Sequence, residues 1–253
     1  MKTIDLNCDM GESYGPWEAG NDTVLLDYVS SANIACGFHA GDPGTMHRTV
    51  RMAIEKGVAV GAHPSLPDLQ GFGRRNMSIS PEEAYDLIVY QVGALAGFAR
   101  ALGGRLQHVK PHGALYNMAV NDAALSRAIG RAVKDIDPTL VLFGLAGSEM
   151  TRAGEELGLT VASEIFADRT YQADGSLTPR SQPNAIIRDI EASIEQVRRM
   201  VEEGRVRSLQ GTDVPVKADT LCIHGDEPTA VEFAQRLRQT LEADGIRIAP
   251  VAR

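Results

Sequence analysis

Seven short runs rich in β-forming residues, each ending in small or polar side chains, alternate along the chain with helix-like segments. The runs cover residues 3–9, 31–39, 58–63, 106–112, 139–145, 159–166 and 219–224; the helical patterns cover 22–30, 45–56, 81–102, 122–135, 148–157, 184–203 and 228–243. Strand and helix alternating in this way form βαβ units around a parallel sheet. No G-x-G-x-x-G turn follows the first run, so a closed barrel of about seven strands fits better than an open dinucleotide-binding sheet. The expected fold is therefore an α/β, single-domain β/α barrel over residues 1–253, a length that such barrels reach as one domain. Ser80 before Pro81, with Glu83 three residues on, predicts a capped start for the longest helix. That helix is apolar on more than one face, which predicts deep burial and in part a contact between subunits, as in a homo-oligomer.

Alternate residues of a strand share a face. In the first run Ile4, Leu6 and Cys8 share one face, while Asp5, Asn7 and Asp9 share the other. The apolar set belongs against the helices, which turns the polar set into the lumen. The same parity puts Asn33 with His39 in the second run, Glu164 opposite Ser163 and Ile165 in the sixth, and His224 opposite Leu221 and Ile223 in the seventh. His63 ends the third run. In the fourth, His108, Lys110 and His112 fall on one wall, unlike the branched apolar residues that usually fill a barrel. Glu12, Asp42, Asp68 and Asp226 follow strand ends near the rim. Polar groups thus collect at the C-terminal ends of the strands, where β/α barrels place their active sites.

Each group has a plainer reading. The 107–116 stretch could be a solvent-facing edge strand, a lone histidine at a strand end is often a hydrogen-bonded structural residue, and Asp42 and Asp226 suit helix N-caps. Five of the six histidines lie in these runs, His47 being the exception, and one shared pocket accounts for them more simply. Such groups suit general acid–base work, with Lys110 as a fixed cation for an oxyanion, carboxylate or phosphate. His108 and His112 on one regular strand stand about 13 Å apart, too far to share an ion. A mixed Asp/His metal site drawn from several strands stays open, and no metal ligand set is assigned. The turn QGFGRR at 70–75 is either an anion-binding loop using backbone amides and Arg74, or a flexible loop with two solvated arginines. Residues 167–182, with their Asp-Gly and Pro signals, form an excursion expected to act as a lid.

The net charge of −8 argues against nucleic acid or an anionic membrane as a main partner. The three cysteines, Cys8, Cys36 and Cys222, lack any C-x-x-C spacing and read as reduced thiols of a cytoplasmic protein. No signal-peptide pattern and no 18-residue apolar span occurs. Walker A, H-E-x-x-H and G-x-S-x-G motifs are absent too.

The segments DLNCDMGE (5–12), ACGFHAGDP (35–43), GAHPSLPD (61–68), GFGRR (71–75), VKPHGALYN (109–117), EIFADR (164–169) and HGD (224–226) together resemble the LamB/YcsF family. That resemblance implies a seven-stranded barrel of the glycoside hydrolase/deacetylase type. It also implies ring opening of 5-oxo-L-proline to L-glutamate coupled to ATP hydrolysis, as the A subunit of a 5-oxoprolinase working with its B and C subunits. ATP would be co-substrate, with a divalent ion such as Mg²⁺ accompanying it. In this reading Lys110 and Arg74 hold phosphate or carboxylate, and Asp9, His63 and His112 supply base and acid. Asn7, Glu12, His39, Asp42, Tyr116, Glu164, Arg169, His224 and Asp226 line the substrate or nucleotide site. Alanine at Lys110 or His112 is expected to stop turnover and leave the fold intact. The competing readings are a metal-dependent, deacetylase-like hydrolase and a non-catalytic subunit that delivers lactam or nucleotide to its partners.

Overall fold

The computed structural model describes residues 2–224 and 230–252. In chain order its elements are β1 (Thr3–Met10), α1 (Asp22–Leu25), β2 (Ser31–Ala35), α2 (Pro43–Glu55), β3 (Ala59–His63), α3 (Pro81–Ala101), β4 (Leu106–Val109), α4 (Gly113–Ala119), α5 (Ala123–Ile136), β5 (Val141–Leu145), α6 (Glu149–Glu156), β6 (Val161–Phe166), α7 (Ile190–Glu203), β7 (Arg205–Arg207), β8 (Asp213–Pro215), β9 (Thr220–Ile223), α8 (Ala230–Ala243) and β10 (Arg247–Ile248). Seven parallel strands run in the order β1-β2-β3-β4-β5-β6-β9, and β9 pairs with β1 to close the barrel. All seven expected strands are present.

The differences have local causes. β2 ends at Ala35, before Gly37 takes a left-handed φ of 93° that only glycine adopts readily. β4 ends at Val109, because Pro111 has no N–H for the ladder and His112 already serves as the N-cap of α4. His112 therefore lies beyond the strand that was to carry it. The helix expected over 184–203 begins at Ile190, where Asp189 accepts from the Ala192 amide as its cap. The short α4, the β7–β8 hairpin and β10, which extends the base of β1, were not anticipated.

Apolar side chains of the strands pack outward on the helices, with Ile4, Leu6, Cys8 and Met10 of β1 all buried in the main core. The lumen, by contrast, is polar on the β1–β2–β9 side and stacked in layers. At the base Asp5 accepts from the hydroxyls of Ser30 (2.6 Å), Ser31 (2.7 Å) and Thr220 (2.6 Å). Above it Asn7 donates to Thr220 (2.7 Å) and Glu164 (3.1 Å) and accepts from Asn33 (2.7 Å). His108 belongs to this layer: its Nε2 meets Asn33 Oδ1 at 2.7 Å and its ring stacks on Phe143 at 4.2 Å. Gly61 makes room for that ring, since a Cβ there would lie 2.0 Å from His108 Nε2. Buried polar groups are tolerated where every donor finds an acceptor, and these layers meet that condition. They lift the third layer, which opens to solvent at the C-terminal mouth.

α3 starts with the expected capping box: Ser80 Oγ accepts from the Glu83 amide and Glu83 accepts in turn from the Ser80 amide. It buries one face only, through Ala84, Ile88, Val92, Leu95 and Ala99, and Tyr90 on its outer side is 66% exposed. Gln91 on the buried face bonds both the amide and carbonyl of Ser65 at 2.8 Å, pinning the loop that leaves β3. Among the described residues no helix is long and apolar enough to cross a membrane.

Candidate active site

Lys110, just past the end of β4, occupies the centre of the third layer. Its Nζ approaches Glu164 Oε1 at 2.8 Å, Asp9 Oδ1 at 3.0 Å, Cys222 Sγ at 3.1 Å and Asn7 Oδ1 at 3.2 Å. Burial by itself would lower the ammonium's pKa, but Asp9 and Glu164 outweigh it and hold the group well above its ordinary value. Asp9 shows the complementary effect. Burial pushes its pKa up, yet His63 and Lys110 bring it well below the usual carboxylate range. A second Asp9 contact, Oδ2 to His63 Nε2 at 3.2 Å, points the carboxylate toward the histidines.

His63 and His112 meet edge to face, with His63 Nε2 only 2.9 Å from His112 Nδ1. The outer nitrogen of each ring is held by a backbone carbonyl: His63 Nδ1 donates to Lys110 O at 2.7 Å, and His112 Nε2 donates to Phe72 O at 2.9 Å. Phe72 takes a left-handed φ of 54°, rare for a non-glycine residue, in the turn that aims this carbonyl. Gly73 beside it has a φ of 64° and no room for a side chain, because a Cβ would lie 2.8 Å from His39 and 2.9 Å from His112. His39 stacks on His112 at 3.8 Å and faces Glu12 Oε1 at 3.5 Å. Burial lowers the pKa of both His39 and His112 well below that of free imidazole.

Asp9, His63, Arg74, Lys110, His112, Tyr116, Arg169 and His224 line one cavity of about 850 Å³. The excursion after β6 supplies its far wall through Arg169, Leu177, Thr178 and Arg180. Strand-like bridges Tyr171–Leu177 and Arg169–Ile186 order that excursion, and Tyr171 Oη, fully buried, accepts from the Phe166 amide at 2.8 Å. Tyr116 donates to Glu164 Oε2 at 2.7 Å. Arg74 lies over the Phe72 ring at 4.9 Å. Asn7 and Glu164 sit beneath the cavity floor, and Glu12 and His39 lie behind the His63–His112 pair.

One expected site residue stands elsewhere. Asp42 caps α2, accepting from the Thr45 amide at 2.9 Å and from the Gly15 amide at 2.9 Å, and it does not line the cavity. Asp226 lies outside the described residues. Two others were missed as site groups. Cys222, whose thiol burial raises well above its ordinary pKa, touches Lys110; it shares strand parity with His224, which is the signal that could have found it. Asp168 accepts from His224 Nδ1 at 2.7 Å and lies past the end of β6, where parity no longer applies.

The LamB/YcsF family model matches residues 4–253. The chain belongs to the LamB/YcsF family. Within it, the A subunit of 5-oxoprolinase from Brevibacillus brevis is 64% identical over 249 residues, covering 98% of both chains. The protein of the same name from Bacillus subtilis is 62% identical over 252 residues, covering 100% of this chain and 98% of its own. Among solved structures, the lactam utilization protein from Thermus thermophilus superposes with a TM-score of 0.92 at 50% identity, over 98% of this chain and 99% of that one. A cellobiose-phosphate cleavage protein of Enterococcus faecalis, so described provisionally, matches with a TM-score of 0.58 at 17% identity over 99% of this chain and 97% of that one, a likeness of fold alone. The LamB/YcsF barrel therefore carries the polar third layer and the cavity above it on one domain-sized frame.

Proposed function

We propose that this LamB/YcsF chain is the A subunit of an ATP-dependent 5-oxoprolinase, opening 5-oxo-L-proline to L-glutamate together with the B and C subunits. The observation that carries the reading is the Lys110-held Asp9 carboxylate beside the His63–His112 edge, on the floor of a cavity walled by Arg74, Arg169 and Arg180. Relatives 62–64% identical over nearly their whole length, which bear that subunit's name, support it.

A five-membered lactam is a stable amide and a poor electrophile. Phosphorylation of its oxygen by ATP would supply the missing leaving group, which accounts for the coupling and for a divalent ion accompanying the nucleotide. Hydrolysis then breaks the ring C–N bond: one water gives its oxygen to the carbonyl carbon, a proton reaches the departing nitrogen, and the acyl phosphate so formed loses phosphate to a second water, leaving glutamate, ADP and phosphate. Asp9 is placed to take the proton from that water, because Lys110 keeps it ionised. The His63–His112 edge adjoins it as the wall facing the carbonyl. Arg74 and Arg180 suit the lactam carboxylate or a phosphate through paired N–H donors, while Arg169 is held by the carbonyls of Ala185 and Thr178. Lys110 is already enclosed by Asp9, Glu164, Asn7 and Cys222, so it serves Asp9 rather than binding the anion itself.

In the complex assembled with the B and C subunits, Asp9→Asn is expected to lower glutamate formation from 5-oxoproline and ATP by about 10²–10⁴-fold. Circular dichroism checks that the variant stays folded. Glutamate formation at the wild-type rate by the folded variant overturns the role of Asp9. Complexes that need no A subunit for turnover overturn the reading as a whole.

A further inference from the structure

The His63–His112 edge poses a problem of proton count. In the neutral form each ring carries one proton, and both protons are committed to backbone carbonyls, of Lys110 and of Phe72. Two nitrogen lone pairs are thereby left facing each other at 2.9 Å, with Asp9 Oδ2 a further acceptor 3.2 Å from His63 Nε2, so the edge must hold either an added proton or a bound cation. Like lone pairs at that distance repel unless a positive centre lies between or beside them. The neighbouring groups add to the same focus. Glu12 Oε1 is 3.6 Å from His112 Nδ1 and 3.5 Å from His39 Nε2. His39 is fully buried, and neither of its ring nitrogens has a hydrogen-bond partner among the described residues. A buried polar atom left this way destabilises the fold, so a ligand is its natural complement.

We propose that Glu12, His39, His63 and His112 form a binding site for a divalent transition-metal ion of the zinc type. One ligand atom from each of the four lies within 4.8 Å of all the others. Tetrahedral zinc with bonds of about 2.0–2.1 Å has ligand–ligand edges of about 3.3 Å; three of the six edges here, of 2.9, 3.5 and 3.6 Å, lie near that value and the others stay within 4.8 Å. The outer nitrogens donating to carbonyls are the arrangement that orients metal-binding imidazoles and fixes which nitrogen is presented. Three imidazoles and one carboxylate favour zinc, cobalt or iron over magnesium or calcium, which take mainly oxygen ligands. His63, His112 and Glu12 need only small shifts to bind. His39 lies flat on His112 and completes the set by turning its ring.

The positions of the four residues in sequence explain why no motif announces the site. They come from the loops after β1 and β2, from the end of β3 and from the N-cap of α4, and no two share a spacing that marks ligands on one element. The turn containing Phe72 and Gly73 makes the site, since it supplies the carbonyl that holds His112 and leaves the gap that His39 and His112 fill. The site goes beyond the ring-opening reading and stands without it, so its test uses binding and not turnover.

The full chain, stripped by chelator and dialysed, is titrated with Zn²⁺ by calorimetry, and metal content is read by mass spectrometry. One ion per chain is expected, with a raised unfolding temperature. Co²⁺ in place of Zn²⁺ is expected to give the visible bands of an imidazole- and carboxylate-bound ion. His63→Gln and Glu12→Gln, each compared with the wild type for circular dichroism in the metal-free state, should weaken Zn²⁺ binding by at least tenfold. Failure of the wild-type chain to retain an ion overturns the proposal. So does a thiolate-to-cobalt charge-transfer band, which would place the ion at Asp9, Cys222 and His224, the other group of suitable ligands among the described residues. Undiminished Zn²⁺ binding by both variants overturns it as well.

Discussion

Lys110 shows what a single side chain does when strand geometry delivers it into a lumen. Its ammonium is 3% exposed and lies between Asp9 and Glu164, themselves 11% and 0% exposed at the side chain. Removing one partner of such a group leaves buried charge without compensation and costs about 3–5 kcal/mol. Lys110→Met is therefore expected to destabilise the chain by that amount in urea at neutral pH. Adding Glu164→Gln should recover part of the loss, because one of the stranded charges is then gone. If the double variant is no more stable than Lys110→Met, Glu164 is not a partner in the stabilisation. Parity had marked Asp9, Lys110 and Glu164 as lumen-facing residues. It could not say that the ammonium meets both carboxylates, because that contact is set by the registers of β1, β4 and β6 relative to one another, and register is a property of the closed sheet.

Elements were legible wherever local chemistry decides them. Each of the seven strand patterns became a strand, and the Ser80–Glu83 signal became the cap of α3. Ser80→Ala removes one side-chain acceptor from the exposed helix start and is expected to cost about 1 kcal/mol. The check is a lowered urea midpoint with an unchanged denaturant slope; an unaltered midpoint would make the box decorative. The elements that escaped are short and depend on tertiary partners. β10 is two residues held by the base of β1, β7 and β8 exist as each other's partner, and α4 forms because the chain must turn at Pro111. α4 matters most for the site, since its N-cap is His112. A histidine assigned to a strand by periodicity turns out to stand at a helix entrance, with its ring directed at His63 by the Phe72 carbonyl.

At the scale of the molecule, the cavity is closed on one side by the excursion after β6, which carries Asp168 and Arg169 toward the end of β9. Burial pushes the Asp168 carboxyl up, but His224 with Arg169 and Arg180 outweighs it, and its pKa lies below the ordinary value of 3.8. A carboxylate depressed in the folded state contributes stability that is present above its unfolded pKa and lost as pH falls through the folded one. Wild type is thus expected to exceed Asp168→Asn in unfolding free energy at pH 7, with the gap closing below about pH 4. A gap constant between pH 7 and pH 3 would show that the Asp168–His224 contact adds nothing to stability. The ordered bridges of residues 169–186 show that this wall is built into the frame, a feature that composition alone had marked only as an irregular, lid-like stretch.

The alternation of strand and helix, the inward parity of the acidic and basic residues, and the family motifs are all written in the order of residues, because each depends on neighbours a few positions apart. The barrel and the polar character of its mouth follow from these. The pairing of His63 with His112, the enclosure of Lys110 and the placing of His39 and Glu12 behind them depend on contacts over long stretches of chain: 49 positions separate His63 from His112, and 112 separate Lys110 from Cys222. Only closure of the sheet brings such distant side chains to one point, since the stagger that sets which residues face one another does not exist until the last strand pairs with the first.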